Sequence, residues 1–454
     1  MSIAYKTTIK DIYQDSEKLS QLEEIKVGGW VKSVRKSKEI IFVIMNDGTC
    51  LDNLQVIISQ EKLFQNDLLK KINFGASLIV SGKLILTPRF RQACELQADK
   101  IESVNSVNDE YPFQKKNIPL DVVRNFPHLR AKTNYFLTLF RLRHSISKAF
   151  HSFFDQEGFY YVSTPIITGS DAEGAGEFFS LEDSKKESFF PKKASLTVSG
   201  QLQAEALAQG LGKVYTFSPC FRAEKSNTAR HLAEFYMIEP EMAFAELATI
   251  ISLAEKLVRF VINYVLDNNI NDLDFLEKYH QKQLINKLKK LSELDFKKIK
   301  YSEAIEILES NKKNFIFNDI KWGMDLQSEH EKYLCQYFNS PVFVTNYPIE
   351  LKAFYMKNNP DKKTVDCFDL LIPEIGELIG GSMREDNYEI LKNKAQKIGI
   401  DTDNLSWYLD LRRFGYAPSG GFGLGLERLI MFISGTDNIR DTIAFPRYPK
   451  HLET

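Results

Sequence analysis

The chain holds 454 residues, 43% of them hydrophobic and 26% charged, with a formal net charge of −1. That composition is ordinary for a soluble globular protein, and the length exceeds what one hydrophobic core organises, so at least two domains are expected. Near-neutral charge excludes a whole-molecule attraction to nucleic acid, and any such partner has to be held by local patches. No run of eighteen apolar residues occurs, and Met1 to Tyr5 lead into polar sequence, so neither a membrane span nor a signal peptide is expected. Cys50, Cys94, Cys220, Cys335 and Cys367 include no Cys-x-x-Cys pair. They suggest neither a zinc site nor a disulfide framework, and a reducing, cytoplasmic location suits them.

Residues 1–105 read as a small β domain. Segments 27–33, 40–45 and 54–59 are short and rich in β-branched residues, with turn signals such as Asn46-Asp47-Gly48 between them. Leu63, Phe64, Leu68, Leu69 and Ile72 then fall at helical spacing, and 78–86 and 93–101 are further strand candidates. Three strands, a helix and two strands is the order of an OB-fold, a barrel that commonly binds single-stranded nucleic acid. An SH3-like barrel or a plain β-meander gives a similar signal. Residues 106–133, with Pro112, Pro119 and Pro127, read as a linker.

A long amphipathic helix opens the rest of the chain. Leu139, Leu142, Ile146, Ala149 and Phe153 step by three and four residues along one face. Gly158 can cap it, and 159–162 is a strand stopped before Pro165. Segments 214–217 and 235–239 look like paired strands around a polar loop. From Leu247 to about Phe317 the pattern is helical and reads as an insertion between strands. Gly420 to Gly425 opens a last helix running through Ile433. Helices mixed with antiparallel-type strands predict an α+β catalytic domain over 134–454.

Two runs carry the chemistry. Residues 221–235 place Arg222, Glu224, Arg230, His231 and Glu234 in one loop between strands. Composition alone also allows a solvated charged hairpin. Parity adds that Phe235, Met237 and Glu239 share a face of the second strand. A ring and a carboxylate below a cationic loop suit a base, a phosphate chain and an ammonium group. The second run is Gly420-Gly421-Phe422-Gly423-Leu424-Gly425-Leu426-Glu427-Arg428. Glycines before a helix let backbone approach a ligand, and the helix start attracts anions. No Rossmann strand precedes the run, so it is weak on its own; Arg428 adds a phosphate contact.

These runs resemble motifs 2 and 3 of the class II aminoacyl-tRNA synthetases, and the helix, strand and Pro165 resemble motif 1, the dimer interface in that family. Together with the OB-like start, the chain resembles the aspartyl/asparaginyl/lysyl subgroup over nearly its whole length. The resemblance implies an anticodon-binding OB-fold barrel over 1–105 and a class II catalytic domain, an antiparallel sheet flanked by helices, over 134–454. It also implies a homodimer built on the 139–153 helix face and the strand before Pro165. For ATP it implies Arg222 on the α-phosphate and the reacting carboxylate, Glu224 on the adenine amino group, Phe235 stacked on the ring, and His231 and Arg428 on the outer phosphates. Arg222 and Arg428 are then the catalytic pair. Asp369 and Glu377 match the family's Mg²⁺ ligands, Glu377 also lying at the ATP; hard oxygen donors beside a triphosphate suit Mg²⁺. Gly380 departs from the pattern, standing where a further polar ligand is expected. The implied mechanism uses no protein nucleophile or base, only positioning and charge stabilisation.

Within the subgroup the chain looks asparaginyl. Aspartyl members carry Ser-Pro-Gln-Leu-x-Lys-Gln where this chain has Ser199-Gly200-Gln201-Leu202-Gln203-Ala204-Glu205. Their lysine neutralises the substrate's side-chain carboxylate; Ala204 cannot, and a broken buried pair costs about 3–5 kcal/mol. Tyr347-Pro348, the run from Lys352 to Met356, and Gly380-Gly381-Ser382 before Arg384 also look asparaginyl, although Met383 stands where bacterial members have glutamine. The implied substrates are asparagine and tRNA(Asn). Glu173 would hold the ammonium, Ser199, Gln201 and Glu239 would complete the α-amino and carboxylate contacts, and Arg384 would donate to the amide oxygen. Glu205 would add a negative charge that repels aspartate. An aspartyl enzyme, possibly one charging two tRNAs, and a tRNA-independent ATP-dependent paralogue are the alternatives. An inactive RNA-binding relative would lack Arg222, Glu224 or Arg428, and all three are present. In the barrel, Trp30, Arg35, Phe42 and Gln55 match the subgroup's anticodon-reading face, Phe42 and Gln55 meeting an unstacked uracil. Lys32, Arg35, Lys36 and Lys38 add a basic strip, and the apolar neighbours of Phe42 also allow it a place in the barrel core.

Overall fold

The computed structural model describes residues 7–59, 67–89, 92–113, 118–169, 178–182, 189–226 and 228–452. The chain divides into two compact units, Met1–Thr138 and Leu139–Thr454. In the first, Ile25–Lys36, Ile40–Asn46, Leu54–Ser59, Ser77–Leu86 and Cys94–Asn105 close a barrel. The first strand pairs with the second and fourth, and the third runs parallel to the fifth. This is the expected OB order. Alternation drives it: Ile41, Val43 and Met45 of the second strand turn inward onto Val56, Ile58, Val80 and Leu96, while Phe42 and Ile44 turn outward. Gly48, at φ +86, makes the turn after the second strand and donates its N–H to Asn46 Oδ1 at 2.8 Å. Of the helix expected between the strands, Leu63 and Phe64 lie outside the described residues, and Asp67–Lys71 forms a 3₁₀ turn.

The stretch read as a linker has structure of its own. It carries a short helix at Leu120–Arg124, buries Phe113 and Val123, and links Tyr111, Phe113, Phe126 and His128 edge to face. Isolated aromatics without periodicity gave no pattern to read, yet each finds a ring partner once the chain folds back.

The second unit is built on an eight-stranded sheet. Its order is Lys297–Lys300, Val342–Thr345, Cys367–Ile372, Gly376–Met383, Ser419–Gly425, Glu234–Ala243, Lys213–Phe221 and Tyr160–Tyr161. The inner pairings are antiparallel, and the two outermost are parallel. Two expectations change here. The block 247–317 is not wholly helical, because Lys297–Lys300 is an edge strand that buries only Ile299. Lysines on a short edge strand keep it from pairing with other chains and also hide it from propensity. The glycine run is a strand, not a turn into a helix, and the helix Leu426–Ser434 begins only after Gly425. A Cβ on Gly421 would lie 2.1 Å from the Pro240 carbonyl oxygen, and one on Gly420 2.3 Å from Ile250 Cδ1. Glycine lets this strand lie against its neighbours.

The helix Asn134–Gln156 corrects a third expectation. Leu139, Leu142, Ile146 and Phe153 are buried within the protomer, each side chain contributing roughly 1.5–3 kcal/mol, and Ala149 is buried with them. Polar ties fix the same helix: His151 Nδ1 meets the Tyr215 hydroxyl at 2.7 Å, and Arg143 pairs with Glu427 at 2.7 Å. That face is core and cannot be a dimer surface. Past Gly158, at φ +75, the chain instead exposes Tyr160 and Tyr161 on the edge strand, with Ile166 and Ile167 beyond.

Candidate active site

A cavity of about 570 Å³ opens on the sheet, lined from the strands around Phe235–Glu239, Asp369, Glu377–Arg384 and Phe422–Gly425, and from the 222–232 loop. Its sides differ in chemistry.

On one side the 222–232 loop folds back so that the Arg222 N–H donates to the Ala233 carbonyl at 3.0 Å. The Arg222 guanidinium stands 5.4 Å from the Phe235 ring centroid and 4.0 Å from Glu224. Glu224 is 3.8 Å from His231 Nε2, and the other ring nitrogen of His231 is 2.6 Å from the Thr228 hydroxyl. Arg428, in the first turn of Leu426–Ser434, donates to the Glu377 carbonyl at 3.0 Å and lies 3.6 Å from its carboxylate. Arg230 donates to the Glu374 and Ile375 carbonyls, both at 3.3 Å, and to the Ser328 hydroxyl. Burial, then the like charge of Arg428, lowers its pKa. One arginine over a ring, with two more on the same cavity, makes a site for a polyanion carrying an aromatic base.

Asp369 and Glu377 stand on neighbouring strands and converge over Gly380. A Cβ on Gly380 would be 3.1 Å from Glu377 Oε1 and 3.5 Å from Asp369 Oδ1, so the glycine leaves a cradle between two carboxylates. Lys352 pairs with Asp369 at 2.6 Å and stands 3.9 Å from the Tyr347 ring centroid. Behind them Glu331 accepts the Glu377 N–H at 3.1 Å; burial, then the charges of Glu377 and Asp369, pushes its pKa up to about 7. Among the described residues no group of three or more His, Cys, Asp or Glu has metal-holding geometry. Both Asp369 oxygens accept from Lys352 here, so the hard-oxygen pair of Asp369 and Glu377 fits a cation such as Mg²⁺, with its other ligands from water and phosphate, when the lysine gives way to it.

The other side is buried. Ser199 donates to Glu239, whose second oxygen accepts the Gly200 N–H at 3.0 Å. Arg384 is gripped by Glu241 through both carboxylate oxygens, donates to the Ser382 hydroxyl at 2.6 Å, and lies 5.2 Å from the Tyr355 ring centroid. Burial, opposed by Arg384 and reinforced by Glu205 and Glu239, pushes the Glu241 carboxyl above its ordinary range.

The structure therefore brings Arg222, Glu224, His231, Phe235, Asp369, Glu377, Arg428, Ser199, Gln201, Glu239 and Arg384 to one cavity. Glu173 lies outside the described residues. Glu205 does not line the cavity, and its role needs correction. Its carboxylate is fully buried, paired with Arg412 at 2.6 Å and accepting from Tyr408, Tyr416 and Gln201, so its charge is matched and cannot repel a ligand by itself. Met383 is buried off the cavity wall, and Ala204 packs with Ala208 and Val214. Sequence reasoning gave no role to Arg230, Glu241 or Lys352. Parity held the signal for Glu241, two residues beyond Glu239 on the same strand face. In the barrel, Arg35 sits directly opposite Phe42, Gln55 opposite Ile44, and Trp30 is 41% exposed. Phe42 is half-buried on the outer face, not in the core.

With this geometry in view, the fold and site are those of a class II synthetase. The family model of tRNA synthetases class II (D, K and N) matches residues 120–449, and that of the OB-fold nucleic acid binding domain matches 25–104. The asparagine–tRNA ligase of Mycoplasma capricolum subsp. capricolum is 49% identical over 98% of this chain and 99% of its own length. That of Cytophaga hutchinsonii is 46% identical over the same shares. Among solved structures, asparaginyl-tRNA synthetase from Pyrococcus horikoshii complexed with asparaginyl-adenylate superposes with a TM-score of 0.89 at 32% identity, covering all of both chains. The chain belongs to the class II synthetases of this group and, within them, to the asparagine–tRNA ligases.

Proposed function

We propose that this chain condenses asparagine with ATP to asparaginyl-adenylate and passes the asparaginyl group to tRNA(Asn). The observation that carries the choice of amino acid is the Arg384–Glu241 pair. On the buried side Glu241 holds Arg384 and Glu205 holds Arg412, and the carboxyl group of Glu239 lines the cavity beside them. Glu239 and Ser199 line the part of the cavity where the substrate ammonium would sit. A further side-chain carboxylate would find no uncommitted cation, whereas a neutral carboxamide needs none.

The chemistry follows from positions. The asparagine carboxylate attacks the α-phosphorus, the bond to the bridging oxygen breaks and pyrophosphate leaves. Arg222 steadies the charge gathering on the α-phosphate, Phe235 stacks on adenine, Glu224 accepts from its amino group, and His231 and Arg428 hold the departing phosphates. Asp369 and Glu377 would hold Mg²⁺, which supplies charge neutralisation to the triphosphate. In the second step a terminal ribose hydroxyl of the tRNA attacks the acyl carbon and AMP leaves. The barrel face of Trp30, Arg35, Phe42 and Gln55 reads the anticodon; its outward aromatic opposite a cation suits an unstacked base. Five free cysteines fit a reducing cytoplasm. No described helix is long and apolar enough to cross a membrane.

Isotope exchange between pyrophosphate and ATP tests the first step. Exchange should depend on asparagine, with aspartate slower by roughly 10²-fold or more. Arg222→Ala should slow it roughly 10²–10³-fold without unfolding the protein. Equal rates with the two amino acids would replace asparagine by aspartate in this account, and an Arg222→Ala rate within about threefold of wild type would remove Arg222 from the chemistry.

For the barrel, Phe42→Ala should weaken tRNA charging by about 1–3 kcal/mol while leaving asparagine-dependent exchange intact. A parallel fall in both reactions would make Phe42 structural.

The homodimer is proposed on a different surface from the helix face. Tyr160 and Tyr161 are 60% and 50% exposed on an edge strand, and Ile166 and Ile167 are 40% and 47% exposed close by in the chain. Light scattering at micromolar concentration should return twice the chain mass, and Tyr160→Asp should lower it. A wild-type monomer would contradict this.

A further inference from the structure

Gln201 opens the helix Gln201–Leu211, is 5% exposed, and lines the cavity. Its Nε2 donates to Glu205 at 2.9 Å, and its Oε1 is buried with no partner among the described residues. A carboxylate has no hydrogen to give, so only the NH₂ end of the amide can face Glu205. The C=O end is thereby committed to the other direction as an acceptor. Buried acceptors are nearly always satisfied, so one left over on a cavity wall points to a donor on the ligand.

We propose that Glu205 is a positioning residue: it fixes the polarity of the Gln201 amide so that Oε1 accepts a hydrogen bond from the α-ammonium group of the amino acid. The cage around Glu205 is built for that task. Arg412 donates at 2.6 Å, the Tyr408 hydroxyl at 2.5 Å and the Tyr416 hydroxyl at 2.8 Å. With these donors the carboxylate is held still, its charge is matched, and one site on Oε2 remains for Gln201. Both tyrosines and Arg412 come from residues 408–416, so a distant segment sets the direction of one amide in the pocket. A glutamine at 205 could donate or accept and would leave the Gln201 amide free to turn.

The proposal rests on asparagine being the substrate, and the test separates the two. Asparagine and its deamino analogue succinamate are compared in pyrophosphate exchange, the first by its KM and the second as a competitive inhibitor. Succinamate lacks the ammonium and makes no bond to Gln201 Oε1. In Glu205→Gln the KM for asparagine should rise roughly tenfold or more while succinamate inhibition and the KM for ATP stay put. Because that variant strands Arg412, the same pair of measurements is made on Glu205→Gln/Arg412→Met, which has no unmatched buried charge and should show the same selective loss. Equal losses for both ligands in the double variant, or a ratio of the two constants within about threefold of wild type, would overturn the positioning role. Failure of the wild-type protein to use asparagine would overturn the function itself.

Discussion

The buried pair between Arg384 and Glu241 organises the catalytic unit. Glu241 belongs to one strand and Arg384 directly follows another that is not its neighbour: Glu241 lies opposite Gly421, and Gly421 lies opposite Ser382 on its other side. Arg384 has to reach across the glycine strand to find its partner. A Cβ on Gly421 would lie 2.5 Å from Glu241 Oε1, so the missing side chain is the window through which the pair forms. Removing two charges from water costs several kcal/mol per ion, and here the bidentate geometry, the Ser382 hydroxyl and the Tyr355 ring offset it. The Arg384 N–H also donates to the Ser419 carbonyl at 2.8 Å, which holds the end of its strand against the glycine strand.

Function depends on that pairing. Asparagine and aspartate have nearly the same shape, so a pocket can separate them only by charge and hydrogen-bond polarity. With Arg384 held by Glu241, and Arg412 by Glu205 behind the wall, both guanidiniums on the buried side are committed and Glu239 adds a carboxyl group to the cavity. The opposite side carries Arg222 over Phe235, with Arg230 and Arg428 on the same cavity, guanidinium donors that suit phosphates. One cavity thus has committed charges at one end and guanidinium donors beside a ring at the other, an arrangement that suits the proposed zwitterion and polyanion. Lys352 and Asp369 also line it, already paired.

Much of this was legible in the chain. The barrel could be read because its core alternates with period two, and Phe235, Met237 and Glu239 could be placed on one face by the same parity. What stayed hidden had physical reasons. Lys297–Lys300 has the composition of a solvated loop and becomes a strand only by pairing with Val342–Thr345 at the edge of the sheet. The glycine run carries the same residues whether it wraps a ligand or threads between strands, and only the register to Glu241 tells which. The apolar face of the helix Asn134–Gln156 gives no indication of whether it packs on its own sheet or on another protomer. Glu205 looked like a free charge because its partners, Arg412, Tyr408 and Tyr416, lie some two hundred residues away.

The most direct test of this account is the discrimination between asparagine and aspartate in Glu241→Gln, read by pyrophosphate exchange on protein shown by thermal melting to be folded. Removing the carboxylate frees Arg384 to meet a substrate carboxylate. The preference for asparagine should then fall at least about tenfold, largely by a gain in aspartate use. A folded variant that rejects aspartate as strongly as the wild type would show that the Arg384–Glu241 pair does not set the choice of amino acid.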